Sequence, residues 1–258
     1  MTEGPVRIAM WSGPRNISTA MMRAFENRAD TAVIDEPFYA AYLSISGTNH
    51  PLREKTLAAH ESDWRKVVKV LTGPVPGGRT IFYQKHMTHH MLPEIGRGWM
   101  PACRNVFLIR APEAVLASYS AKRAEFLPAD IGFASQREMF EAEAERLGTA
   151  PPVIDAEDVL RDPHQALGAL CTALKIAFAE GMLHWPSGSR ATDGAWAPAW
   201  YDSVAHSTGF AQPRRYPPLD AELKRVADAV RPHYECLARH KLAIEEKRPE
   251  GNRPCNAR

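Results

Sequence analysis

The chain has 258 residues, 45% of them hydrophobic and 9% aromatic, which is enough for one sizeable core at the upper end of single-domain size. Lys and Arg number 32 against 30 Asp and Glu, so no global field marks a nucleic-acid or membrane-surface binder, and any anionic ligand has to be held by local arrangement. Cys103, Cys171, Cys236 and Cys255 lie far apart without metal-binding or redox spacing, and the first apolar run is too short for a signal-peptide core or a membrane span, so the expectation is a cytoplasmic protein.

Short apolar runs alternate with longer helical patterns, which predicts a parallel sheet wrapped by helices. The first strand covers residues 7–11 and turns through a loop into a helix over 18–27; the second strand covers 31–35. Residues 38–57 mix aromatics with Ser, Gly and Pro and read as a loop or lid. A helix over 63–71, strands over 80–84 and 105–109, helices over 112–123 and 136–147 and a strand over 152–154 follow. Asp162 and Pro163 start a further helix. Residues 184–218 read as irregular, 219–240 as a closing helix, and 245–258 as a charged, frayed tail. No repeat or linker divides the chain, so residues 1–244 are expected to form a single domain.

The turn Trp11-Ser12-Gly13-Pro14-Arg15-Asn16-Ile17-Ser18-Thr19-Ala20 presents backbone N–H groups and a helix N-terminus, an anion site by construction. It lacks the Gly-Lys pair that nucleoside-triphosphate P-loops place before the Ser/Thr; Ile17 precedes Ser18, and the cation is Arg15. An ordinary strand-to-helix turn capped by Ser18 or Asn16 is the alternative. Arg110 leaves the fourth strand, and Ser118 lies about two helical turns on, so both reach one phosphate only if the helix bends back over the strand end. Glu36, at the end of the second strand, stands where open parallel sheets present ligands; its alternative is an ion pair with Arg15 or a turn cap. Lys85 and His86 are read as following the third strand, with His89 nearby. Phe38, Tyr42, Trp196, Trp200 and Tyr201 suggest an aromatic-walled pocket under a lid, although such residues are at least as often plain core.

Three of these segments together resemble the sulfotransferase family. Pro14-Arg15-Asn16-Ile17-Ser18-Thr19 is similar to that family's phosphosulfate-binding loop, Pro-Lys-Ser-Gly-Thr-Thr or its Arg variant, with Arg15 on the Lys and Asn16 and Ile17 departing from Ser-Gly. The run from Phe107 to Tyr119 looks like the 3'-phosphate motif, with Arg110 and Ser118 in its two places. Asp155-Ala156-Glu157-Asp158-Val159-Leu160 with Asp162-Pro163 is similar to the family's Tyr-Glu-Asp-Leu segment, although Ala156 replaces the Tyr that touches adenine and Ala20 replaces an aromatic.

The resemblance implies a P-loop-type three-layer α/β sandwich with about five parallel strands and helices on both faces. It also implies transfer of a sulfuryl group from 3'-phosphoadenosine-5'-phosphosulfate (PAPS) to a hydroxyl or amine of a small-molecule acceptor, with no metal and with neither nucleic acid nor membrane as partner. Pro14 to Thr19, Arg110, Ser118 and, near the C-terminus, Arg214 would bind the donor; Arg15 and Lys85 would steady the departing charge; Glu36 or His86 would be the base. A P-loop kinase for a small metabolite and a catalytically idle nucleotide-binding protein are the rival readings, the first disfavoured by the missing Gly-Lys.

Overall fold

The computed structural model describes residues 4–122 and 126–244; the expected tail 245–258 and the last residue of the expected helix 112–123 lie outside them. Five strands, β1 (Val6–Ser12), β2 (Thr31–Asp35), β3 (Ile81–Met87), β4 (Arg104–Ile109) and β5 (Val153–Asp155), form one sheet in the order β2-β3-β1-β4-β5. Every neighbouring pair is parallel. The chain visits β2 and β3 on one side of β1 and then crosses to β4 and β5, so the strand order reverses beside β1. In open parallel sheets the crevice at the carboxyl ends of the strands at such a point is where ligands bind.

Alternation along the strands sends side chains to two apolar layers. Ile8, Met10, Tyr83, Val106 and Leu108 face α1 (Ser18–Glu26), α7 (Ala156–Arg161) and α8 (Pro163–Ala173). Ala9, Trp11, Phe107 and Ile109 face the other layer. Its helices include α4 (Trp64–Thr72), α6 (Phe133–Leu147) and α11 (Ala221–Ala238). The remaining helices are α2 (Tyr39–Ser46), α3 (Arg53–Ala59), α5 (Pro112–Ser120), α9 (Ala197–Trp200) and α10 (Asp202–Ala205). Acidic N-caps start four of the helices, α4, α7, α8 and α11: Asp63 accepts from Arg65 N at 3.0 Å, Asp155 from Glu157 N at 2.8 Å, Asp162 from Gln165 N at 3.1 Å and Asp220 from Leu223 N at 2.8 Å. Each such cap is worth about 1 kcal/mol. Among the described residues no helix is long and apolar enough to cross a membrane.

Two sequence expectations are corrected. Residues 38–57 are not a simple loop: α2 buries Tyr39, Ala40, Ala41, Tyr42 and Leu43, and α3 follows. The α2 sequence is apolar nearly all round, so it carries no amphipathic rhythm to read, and its burial against Trp196 and Tyr201 decides the helix. The third strand runs three residues past 84, because Lys85 pairs with Asp35 of β2 and His86 and Met87 pair with Trp11 and Ser12 of β1. Lys85 and His86 are therefore consecutive strand residues and point to opposite faces of the sheet.

Candidate functional site

At the carboxyl ends of β1, β2, β3 and β4 lies a cavity of about 250 Å³. Its floor is the loop Pro14 to Thr19 and its far wall is the segment from Trp196 to Ala211. The loop can sit this close to its neighbours because residue 13 is glycine: a Cβ there would stand 2.6 Å from the Ile131 carbonyl oxygen. Asn16, 2% exposed, ties the turn to the end of β4 by donating to Leu108 O at 3.2 Å. Arg15 and Ile17 both have positive φ, 63° and 54°, rare for any L residue and rarer for a β-branched one. Strain of this kind costs about 1–3 kcal/mol a residue and persists where the surroundings fix it. Ile17 supplies no side-chain cap to α1, so the first N–H groups of the helix remain available to an anion.

The helix after β4, α5, brings Ser118 up to the loop that follows β1. Arg15 Nε donates to Ser118 Oγ at 2.8 Å, and Arg110 Nη1 donates to Arg15 O at 2.8 Å, so these three residues meet at one end of the cavity. Arg110 Nη2 reaches the Tyr216 hydroxyl at 2.7 Å and Glu157 at 3.5 Å. Two buried polar atoms here have no hydrogen-bond partner among the described residues, Asn16 Oδ1 and Arg110 Nε. The two terminal nitrogens of Arg15 make no hydrogen bond within the described residues either, and burial followed by the neighbouring Arg110 lowers the Arg15 pKa. The terminal guanidinium N–H groups left open at this end of the cavity are therefore those of Arg15, since both terminal nitrogens of Arg110 are engaged within the described residues. Ser18 and Thr19 line the floor as expected. Arg214 is exposed and outside the cavity wall; two residues on, Tyr216 is the one that touches Arg110.

At the other end Lys85, 1% exposed, bonds Asp35 Oδ1 at 2.8 Å, Glu36 Oε1 at 2.6 Å and the Tyr201 hydroxyl. Tyr201 Oη also stands 2.7 Å from Asp35 Oδ2 and accepts from Trp196 Nε1 at 3.0 Å. Glu36 has a φ of 38° and pairs with Lys85, not with Arg15. Burial raises the Glu36 carboxyl above the ordinary carboxylate range, Asp35 adds to this, and Lys85 opposes it. Burial alone would lower Lys85, but Asp35 and Glu36 hold it above the usual lysine value. A carboxylate raised in this way is a stronger base than an ordinary surface carboxylate, and the adjacent ammonium limits the rise.

His86 is not brought to the cavity. It is 1% exposed on the opposite face, stacked on Trp11 at 4.3 Å between centroids and bonded to Gln84 Oε1 at 3.2 Å, and burial pushes its pKa down to about 3. The unfolded chain gains a proton on this imidazole below 6.5, whereas the folded chain refuses it until about 3, so stability falls as pH falls through that window. His86→Phe should flatten the dependence of unfolding free energy on pH by about 1.4 kcal/mol per pH unit between about pH 4 and 6. Denaturant titrations at a series of pH values measure it; an unchanged slope would rule out a buried neutral histidine.

Of the aromatics singled out in the sequence, Trp196, Trp200 and Tyr201 line the cavity, whereas Phe38 packs beside His86 and Trp99. Tyr42 stacks behind His90 at 4.8 Å. Tyr39, His50 and His90, absent from the sequence reading, complete this wall: His50 Nδ1 meets the Tyr39 hydroxyl at 2.8 Å, and His90 stacks on the Tyr39 ring at 4.6 Å and 5°. Burial, then the neighbouring histidines and Lys85, holds His90 well below the usual imidazole value, hence neutral. Asp35 was legible as half of an Asp-Glu pair at a strand end; nothing in the local sequence marks His90 or Tyr216.

The family model described as "Sulfotransferase domain" matches residues 6–240. Over 215 residues the chain is 38% identical to Branched-chain-amino-acid aminotransferase-like protein 1 of Arabidopsis thaliana, covering 83% of this chain and 38% of that protein. Over 211 residues it is 36% identical to the same plant's Branched-chain-amino-acid aminotransferase-like protein 2, covering 81% and 37%. The chain thus spans less than two-fifths of the length of these curated relatives. Among solved structures it is similar to a sulfotransferase from Alicyclobacillus acidocaldarius, with a TM-score of 0.54 at 15% identity over 93% of this chain and 98% of that one. It is also similar to the sulfotransferase domain from the curacin biosynthetic pathway, with a TM-score of 0.52 at 17% identity over 89% and 99%. At these identities the likeness is one of fold.

Proposed function

The chain belongs to the sulfotransferase family, and from that premise we propose that it moves a sulfuryl group from PAPS to a hydroxyl or amine of a small-molecule acceptor in the cytoplasm. The observation that carries this reading is the meeting of Arg15, Ser118 and Arg110 at one end of a cavity whose other end holds Glu36. The loop amides with Ser18 and Thr19 take the 5'-phosphate, and Arg110 with Ser118 takes the 3'-phosphate.

Transfer is an in-line displacement. Glu36 accepts the acceptor's proton as that oxygen or nitrogen bonds to sulfur. The bond from sulfur to the bridging oxygen breaks, and its electron pair stays on the 5'-phosphate of the departing 3',5'-adenosine bisphosphate. Arg15 lies on the side where that negative charge grows, and a fixed cation in a water-poor site stabilises it at little reorganisation cost. Tyr39, His90 and Trp196 form a neutral, largely aromatic wall for the acceptor. Isothermal titration tests the donor: 3',5'-adenosine bisphosphate should bind without added metal, and binding of ATP with magnesium but not of the bisphosphate would overturn the reading.

A further inference from the structure

An ammonium group has three N–H bonds, and those of Lys85 are all taken, by Asp35 Oδ1 at 2.8 Å, Glu36 Oε1 at 2.6 Å and the Tyr201 hydroxyl. None is left for an oxygen departing from the donor. Tyr201 is saturated in turn: it accepts from Lys85 and Trp196 Nε1, and its single proton goes to Asp35, whose Oδ2 is 2.7 Å away. Two independent parts of the fold hold this arrangement. Sheet register sets Lys85 against Asp35, and the C-terminal segment is pinned where it delivers Tyr201, through Gly194 N to Asp35 Oδ2 at 3.1 Å and Asp193 to the buried Arg23 of α1 at 2.6 Å. On the donor side, the terminal nitrogens of Arg15 have no such claims on them.

Resting on the donor reading above, we propose that Lys85, Asp35 and Tyr201 form a clamp that positions Glu36, so that Lys85 acts on the base rather than on the donor and the leaving-group charge falls to Arg15. By holding Oε1, Lys85 leaves Oε2, which receives no hydrogen bond from the described residues, to meet the acceptor's proton. The clamp also keeps Glu36 ionised against burial and against Asp35. The other titratable groups around the clamp among the described residues include Tyr83 of β3, raised well above the usual phenol value by burial and then by Asp35, and His90 beyond β3 and His60 beyond α3, both shifted below the usual imidazole value by burial. Lys85 is thus a positioning residue, and Tyr201 links the base to the docked C-terminal segment that carries it.

Lys85→Met and Tyr201→Phe separate a base clamp from a donor contact. Two quantities are read: affinity for 3',5'-adenosine bisphosphate by isothermal titration, and the Glu36 titration by infrared absorption of the protonated carboxyl, with Glu36→Gln identifying the band. The clamp requires bisphosphate affinity within about threefold of wild type in both variants. In Lys85→Met the Glu36 titration should move up by about one pH unit or more, since loss of an adjacent opposite charge disfavours the ionised form. Tyr201→Phe, the milder change, should move it in the same direction by less, because Asp35 loses its proton donor. A tenfold loss of bisphosphate affinity in Lys85→Met overturns the clamp, and so does a Glu36 titration that neither variant moves. Absence of bisphosphate binding by the wild type would overturn the donor reading and the clamp with it; this differs from failure of the clamp alone, in which the wild type binds and Lys85→Met does not.

Discussion

Glu36→Gln should lower turnover by about 100-fold or more while leaving affinity for 3',5'-adenosine bisphosphate nearly unchanged. The amide keeps the size of the side chain and can still accept a hydrogen bond from Lys85, which sits 2.6 Å from Oε1 in the wild type, so the clamp and the strand end survive. What is lost is the capacity to take a proton. The wild type should lose activity as pH falls through the Glu36 titration, which burial places above the ordinary carboxylate value of 4.5, because only the ionised carboxylate is a base. Were His86 the base, that limb would lie near its own pKa of about 3, and His86→Asn would abolish turnover. Steady-state rates of donor consumption for the two variants decide the matter; a Glu36→Gln enzyme with most of its activity intact would remove the carboxylate from the mechanism.

Arg110→Ala should weaken donor binding by about 2 to 4 kcal/mol, on the order of 30- to 1,000-fold in Kd, through loss of a charge-assisted contact to the 3'-phosphate. The side chain also holds the loop, donating to Arg15 O at 2.8 Å, so part of any loss could reflect a loosened turn instead. Selectivity separates the two causes. Loss of the phosphate contact collapses the preference for 3',5'-adenosine bisphosphate over adenosine 5'-phosphate, whereas a loosened loop weakens both ligands together and leaves their ratio intact. Titrating wild type and variant with both nucleotides gives the ratio directly, and a preference undiminished in the variant would make Arg110 structural.

Much of this arrangement was legible because it is local. The sheet follows from short apolar runs bounded by turns, and β2 spans the expected residues 31–35 because Thr, Ala, Val and Ile end there against Asp, Glu and Pro. The loop from Pro14 to Thr19 and the Arg110 and Ser118 pair are stretches in which residue type and spacing already carry the chemistry of an anion site, and the fold brings them within hydrogen-bond reach. The α2 helix was not legible, since a segment buried all round has neither a period of two nor one of 3.6. Nor was the sidedness of Lys85 and His86. Ending β3 at 84 left both in a loop, where either could have faced the cavity.

By itself, then, the sequence determined the parallel α/β layering, the strand-to-helix turn with Arg15, Ser18 and Thr19 and the presence of a carboxylate at the end of β2, each read from residues within about ten positions of one another. The tertiary structure decided which neighbours those groups meet. Strand pairing extends β3 by three residues and so assigns Lys85 to the cavity and His86 to the core, because successive strand residues point to opposite faces. A contact between Lys85 and Tyr201, 116 positions apart, takes the third proton of the lysine, and one between Arg110 and Tyr216, 106 apart, places a tyrosine where the sequence offered Arg214. Such pairings depend on where loops return over the strand ends, and no local preference of the chain encodes that.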